Sequence, residues 1–130
     1  MEHLEPKSAQ QFLQRHPEAL FIDCRSELEL AFVGYPLGSV HIAWNEGPSM
    51  ARNTAFAAEV RRLAAGDVDR PVVLICRSGN RSVEAGEELE RAGFQRVVNV
   101  LHGFEGDLDE RHHRNTLAGW RRDGLPWEQT

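Results

Sequence analysis

Cys76 ends the most apolar stretch of the chain, Pro71 to Cys76 (PVVLIC), and is followed at once by Arg77, Ser78, Gly79, Asn80, Arg81 and Ser82. A thiol, two guanidinium groups and three small polar side chains gathered around a glycine form a set suited to chemistry on an anion. Gly79 permits backbone angles that turn successive N–H groups inward. Such a nest, backed by the start of a helix, attracts negative charge. A cysteine at the edge of that field is drawn toward the thiolate. Arg77 and Arg81 can fork onto anionic oxygens such as those of thiosulfate or sulfite. Ser78, Asn80 and Ser82 add hydrogen-bond donors. The reaction this set suits is attack by a thiolate on a sulfur atom that carries an anionic leaving group, with no general base required once the thiol is ionised. The product would be a cysteine persulfide, emptied by a second nucleophile. The plainer alternative is a cysteine that fills space at the end of a buried strand. That reading leaves the glycine and both arginines without a purpose.

The elements around this loop alternate between helix and strand. Ser8 is placed to cap a first helix over Ala9 to Arg15, which Pro17 stops. Ala19 to Cys24 reads as a buried strand. Ser26-Glu27-Leu28-Glu29 has the spacing of a capping box and opens a second short helix. Gly34, Pro36 and Gly38 mark a loop, and Ser39 to Trp44 reads as a short strand. Asn53 is expected to cap a helix running to about Ala65, with Phe56, Val60, Leu63 and Ala64 on one face and Gly66-Asp67 at its end. Pro71 to Cys76 lacks alternation, the mark of a central strand covered on both faces. Ser82 to Ala92 reads as a helix that packs through Val83, Ala85, Leu89 and Ala92 and closes at Gly93, and Arg96 to Val100 as the last strand. Beyond Gly103 the chain is loop-rich, with a late helix expected near Thr116 to Arg122 and Trp127 packing the tail down. The expected class is α/β: a central, mainly parallel sheet with helices on both faces. Ligands of such folds sit beyond the carboxyl ends of the strands, where Cys76 falls.

A length of 130 residues suits one domain, residues 1–130, and 41% hydrophobic residues suffice for a core without disulfide or metal. A formal net charge of −5 argues against a nucleic-acid partner, and Arg61-Arg62 is too small a cluster to form a binding stripe. No apolar run is long enough to span a membrane, and Met1 to Glu5 lacks the character of a signal peptide, so the cytoplasm is the expected location. There the two cysteines, Cys24 and Cys76, are expected as free thiols. Of the six histidines only His112 and His113 are close, and adjacent residues do not share a helix face, so no metal site is expected. Trp44, Trp120 and Trp127 read as packing residues, Trp44 with the option of edging the site.

The loop CRSGNRS after an apolar strand resembles the active-site loop of the rhodanese family, and the resemblance runs along nearly the whole chain. Leu20 to Arg25 (LFIDCR) is similar to the family's early strand, with Cys24 in place of the usual aliphatic residue. Gly34 to Trp44 (GYPLGSVHIAW), Asn99 to Phe104 (NVLHGF), and the tail with Ala118-Gly119-Trp120 and Gly124-Leu125-Pro126-Trp127 resemble later family segments in the same order. The Gly34 to Ala43 stretch departs from the commoner pattern, and His41 falls where the family varies.

The resemblance implies a rhodanese-type thiosulfate sulfurtransferase with Cys76 as the sulfur-accepting nucleophile. Arg77, Ser78, Gly79, Asn80, Arg81 and Ser82 would be its cradle, and Asp23 and Arg25 would shape the adjacent strand end; a structural ion pair is the other reading of those two. The implied partners are a thiosulfate-like or persulfide donor and a thiol or cyanide acceptor, with a protein acceptor left open and no organic cofactor required. Two rivals stand beside this reading. One is a catalytically silent binding or regulatory module, whose usual sign is loss of the loop cysteine. The other is a phosphatase or arsenate reductase, whose loop between cysteine and arginine is one residue longer than Cys76 to Arg81. Cys24 is expected on the face opposite Asp23 and Arg25, as a small packed residue rather than a resolving thiol or second sulfur carrier.

Overall fold

The computed structural model describes all 130 residues. In chain order its elements are β1 (Glu2–Leu4), α1 (Pro6–Arg15), β2 (Leu20–Asp23), α2 (Glu27–Val33), β3 (Tyr35–Pro36), β4 (Val40–His41), β5 (Asn45–Glu46), β6 (Ala51–Arg52), α3 (Phe56–Leu63), β7 (Val72–Ile75), α4 (Arg81–Arg91), β8 (Val97–Val100) and β9 (Trp127–Glu128). Five strands form a parallel sheet in the order β1-β8-β7-β2-β4. Two small antiparallel pairs, β3 with β9 and β5 with β6, lie outside it. The fold is thus the α/β class expected from the sequence.

The unbroken apolar runs of β2 and β7 follow from burial on both faces. On one face Leu20, Ile22, Val72 and Leu74 pack with Phe56, Val60 and Ala64 of the α3 segment and Ala85 and Leu89 of α4. On the other, Phe21, Val73, Ile75, Val98 and Val100 pack with Ala9 and Phe12 of α1 and with Phe104 and Trp120 from the C-terminal segment. From β2 the chain proceeds outward to β4, whereas from β7 it proceeds the other way to β8. The sheet therefore reverses its winding between β2 and β7, and the crevice at their carboxyl ends is where such folds place a site.

Several boundaries differ from the expectation. Helix α1 starts at Pro6 rather than at a Ser8 cap, because proline presets the helical φ at the first position, where its missing N–H goes unneeded. Strand β1 was not anticipated; three residues with an exposed, exposed, part-buried pattern leave little periodic signal. The Ser39 to Trp44 segment keeps strand pairing only at Val40–His41. Asn53 does not cap α3: its side chain accepts from the N–H of Ala55, which is itself the cap. Helix α4 begins one residue earlier than expected, at Arg81, and ends at Arg91. No late helix forms over Thr116 to Arg122. The N–H groups of Trp120 and Arg121 are drawn instead to the carbonyls of Gly103 and Phe104, at 2.9 and 3.1 Å. Trp127 does hold the tail: it pairs in β9 with Pro36 and stacks edge-on against Phe104 at 6.2 Å. No helix is long and apolar enough to cross a membrane.

Candidate active site

Strand β7 delivers Cys76 to the carboxyl edge of the sheet, and the turn into α4 wraps around its sulfur. The amide of Gly79 donates to Cys76 Sγ at 3.1 Å and that of Ser82 at 3.4 Å. Gly79 adopts φ +103°, which a residue with a side chain rarely reaches, and this turns its N–H onto the sulfur. Ser82 Oγ lies 3.2 Å from the sulfur and donates to Asn99 Oδ1 at 2.5 Å. A hydroxyl has one hydrogen, so it accepts from a Cys76 thiol and must turn to donate once that thiol ionises. Asn99 Nδ2 is in turn 3.2 Å from His3 Nδ1, which links β1 and β8 to the sulfur through Ser82.

The carbonyl side of the loop is held as firmly. The N–H groups of Phe104, Glu105 and Gly106 bind the carbonyls of Cys76, Arg77 and Arg77 at 2.8, 2.9 and 3.2 Å. Gly103 makes the approach possible, since a Cβ there would fall 2.6 Å from the Arg77 carbonyl carbon. With its carbonyls pinned from behind, the loop presents its amides to the sulfur.

Cys76 is 1% exposed, and its thiol is lowered from the ordinary 9.0 to about 5. The Cys24 thiol contributes most, as a hydrogen-bond donor beside it; burial opposes; the Ser82 hydroxyl and the amides of Ser82 and Gly79 add to the lowering. Cys24 moves the other way, well above 9.0, chiefly because it keeps its proton to serve the Cys76 sulfur, and secondarily through burial. Cys24 Sγ donates to the Ile75 carbonyl at 3.3 Å, which also accepts the Cys24 N–H at 2.9 Å; once Cys76 ionises, the thiol hydrogen turns to that charged and therefore stronger acceptor.

The two arginines divide. Arg81 is not open for an anion: its Nη1 and Nη2 fork onto Glu29 Oε1 and Oε2 at 2.7 and 2.9 Å. Glu29 belongs to the capping box expected from the sequence, its Oε1 also accepting from the Ser26 N–H at 3.2 Å. Burial alone would raise the Glu29 carboxyl, but Arg81 and the Ser26 groups outweigh it and hold it at about 2. Arg77 is exposed, and its guanidinium has no hydrogen-bond or ion-pair partner. Together with Ser78, Asn80, Arg81, Glu29 and Met50 it lines a pocket of about 340 Å3 that reaches Cys76.

Asp23 and Arg25 come to the adjacent strand end, as a fully buried pair with Arg25 Nη2 2.7 Å from Asp23 Oδ2. Arg25 also binds the Gly34 carbonyl at 2.7 Å and lies 4.4 Å over the Phe104 ring. Phe104 belongs to the core face opposite Cys76, so the pair supports the strand end from below and does not touch the sulfur. Cys24 takes the other face, as alternation required, and there it meets Cys76. Trp44 is buried among core residues, donates to Glu84 Oε2 at 3.2 Å and does not line the pocket. Sequence reasoning missed Glu29, Asn99 and His3. The signal for Asn99 was an amide inside the apolar run VVNV; His3 offered none.

A family model described as a rhodanese-like domain matches residues 5–110. The crystal structure of Rv0390 from M. tuberculosis superposes with a TM-score of 0.88 at 39% identity, covering 100% of this chain and 98% of that one. Uncharacterized protein RP600 of Rickettsia prowazekii is 27% identical over 85% of this chain and 83% of its own length. Thiosulfate sulfurtransferase 16, chloroplastic, of Arabidopsis thaliana is 28% identical over 82% of this chain and 77% of its own.

Proposed function

The chain belongs to the rhodanese-like domain family, and from that premise we propose that it is a sulfurtransferase that carries sulfane sulfur as a persulfide on Cys76. The observation that carries the proposal is the sulfur itself, buried yet ringed by the Gly79 and Ser82 amides, the Ser82 hydroxyl and the Cys24 thiol. Such a ring stabilises a thiolate and leaves one opening, the pocket beside Arg77. A thiosulfate-like donor enters there with its sulfonate oxygens on Arg77, Ser78 and Asn80. The thiolate attacks the outer sulfur of the donor, a Cys76 S–S bond forms, and sulfite leaves with the electron pair of the old bond. The outer sulfur then faces the loop amides, and an acceptor thiol or cyanide removes it. Arg81 acts as a positioning residue in this scheme: bound to Glu29, it fixes the start of α4, while Arg77 meets the donor.

The test is turnover of thiosulfate and cyanide to sulfite and thiocyanate, run beside hydrolysis of an aryl phosphate. The expected result is thiocyanate formation that Cys76→Ser abolishes, with no phosphate release. Phosphate release without thiocyanate would overturn the proposal. Arg77→Ala should raise KM for thiosulfate about tenfold, the loss of one charge-assisted contact worth ~1.4 kcal/mol, while kcat at saturation changes little.

A further inference from the structure

The register of β2 against β7 places a second thiol opposite the first. Asp23 pairs with Ile75, so the next step along both strands sets Cys24 across from Cys76, with the Cys24 N–H bound to the Ile75 carbonyl at 2.9 Å. Both side chains lie on the same face, in one core cluster, and are 0% and 1% exposed. Neighbouring strands run about 4.8 Å apart, within the Cα separation of roughly 4.4–6.8 Å that a disulfide spans. Each backbone is also held from its outer side, by the Trp44 N–H on the Cys24 carbonyl at 3.0 Å and the Phe104 N–H on the Cys76 carbonyl at 2.8 Å. Two free thiols are therefore fixed face to face at the switch point of the sheet. Packing alone needs only volume at position 24, which an alkyl group would supply.

We propose that Cys24 resolves the sulfur-loaded protein: its sulfur attacks Cys76 Sγ and expels the carried sulfur as hydrosulfide, closing a Cys24–Cys76 disulfide. The step rests on the persulfide reading above. The Cys24 Sγ–Cys76 Sγ bond forms, and the bond from Cys76 Sγ to the outer sulfur breaks. The proton of Cys24 leaves with the outer sulfur. The sulfane sulfur gains two electrons and becomes sulfide, and the two cysteine sulfurs lose one each, so the carried sulfur is the oxidant and no other is needed. Cys24 shares the core cluster with Cys76, while the Gly79 amide donates to Cys76 Sγ and the pocket reaches Cys76 from solvent, so the attacking thiol comes from the protein interior and the released sulfide has a way out. Loading turns Cys76 Sγ from a thiolate into a neutral sulfur, which removes the charge that kept the Cys24 proton in place. A low-molecular-weight thiol reopens the disulfide by exchange. When an acceptor is at hand it takes the outer sulfur first. When none is, the protein releases sulfide and closes.

The experiment loads wild type and Cys24→Ser with thiosulfate, removes the excess, and holds both without acceptor. Intact mass is followed in time, sulfide is trapped with monobromobimane, and peptides are mapped without reduction. In wild type the gain of one sulfur atom should give way to the loss of two hydrogens, with one sulfide released per chain and a peptide joining Cys24 to Cys76. Cys24→Ser, which keeps a hydroxyl donor beside Cys76, should load more slowly at low pH, where fewer Cys76 sulfurs are ionised, and once loaded should hold its sulfur. A wild type that holds its sulfur as long as Cys24→Ser, with no joined peptide, overturns the resolving step and leaves the persulfide reading intact. Failure of both proteins to gain sulfur overturns that reading, and this step with it. Should Cys24→Ser not fold, the wild-type peptide map and sulfide yield decide by themselves.

Discussion

Cys76 is nearly sealed from solvent, and an isolated thiolate in that position would be strongly disfavoured. What reverses the balance is the number of donors aimed at the sulfur, and each can be removed singly. The rate of alkylation by iodoacetamide, plotted against pH, should rise with a midpoint near pH 5 and fall away below it, because only the thiolate reacts. Cys24→Ala should move that midpoint upward, since the largest donor is gone, and Ser82→Ala should move it upward by less. A midpoint that stays put in Cys24→Ala would show that the Ser82 hydroxyl and the loop amides set the ionisation without the Cys24 thiol. The same depression ties Cys76 to stability. Its folded pKa lies below the unfolded one, so the ionised sulfur stabilises the fold fully above pH 9.0, and this contribution fades as pH falls toward about 5.

Helices α2 and α4 meet through one side-chain pair, Glu29 and Arg81, each 19% exposed. Glu29→Gln would remove both the fork onto Arg81 and the charge on the Ser26 cap. The expected loss is about 1–3 kcal/mol at neutral pH by urea unfolding. Its pH dependence has a definite sign. The Glu29 carboxyl is lowered on folding, so its contribution is present above the ordinary 4.5 and is lost as pH falls toward about 2, and the gap between wild type and Glu29→Gln should close over that range. At the next element, Gly103→Ala would drive a Cβ into the Arg77 backbone and push the loop off its support. Sulfur loading should then fall by at least tenfold in a chain that still unfolds cooperatively; unchanged loading would mean the amides hold without that backing. These pairings mark the limit of what the sequence told. The loop, the capping box and the buried strands are local patterns, and each was readable. That Glu29 would take Arg81 away from the substrate depends on contact across 52 positions, and no local pattern encodes it. Cys24 was assigned its face correctly by alternation, but its facing Cys76 required the register of β2 on β7.

Over the whole molecule, the C-terminal segment does the work that a helix would do elsewhere, covering the second face of the sheet. Trp120 is fully buried, lies 5.2 Å from Phe21 and donates its indole N–H to the Pro126 carbonyl at 2.9 Å. Trp120→Ala should cost about 3–5 kcal/mol in urea unfolding, as for other large aromatic truncations. The Asp23–Arg25 pair below the strand ends serves the same layer. Asp23→Ala would leave a buried guanidinium without its counter-charge and should destabilise by a similar ~3–5 kcal/mol. A fold braced on both faces leaves the carboxyl edge of β2 and β7 as the place where a thiolate can be held still, and sulfur capture there is the claim on which the rest depends. Its most direct measurement is intact mass immediately after thiosulfate treatment, made in the Cys24→Ser background so that internal resolution cannot erase the product. A gain of one sulfur atom, removed by cyanide and absent when Cys76→Ser is added, is the predicted result. An unchanged mass in a folded Cys24→Ser protein whose Cys76 still alkylates would contradict it.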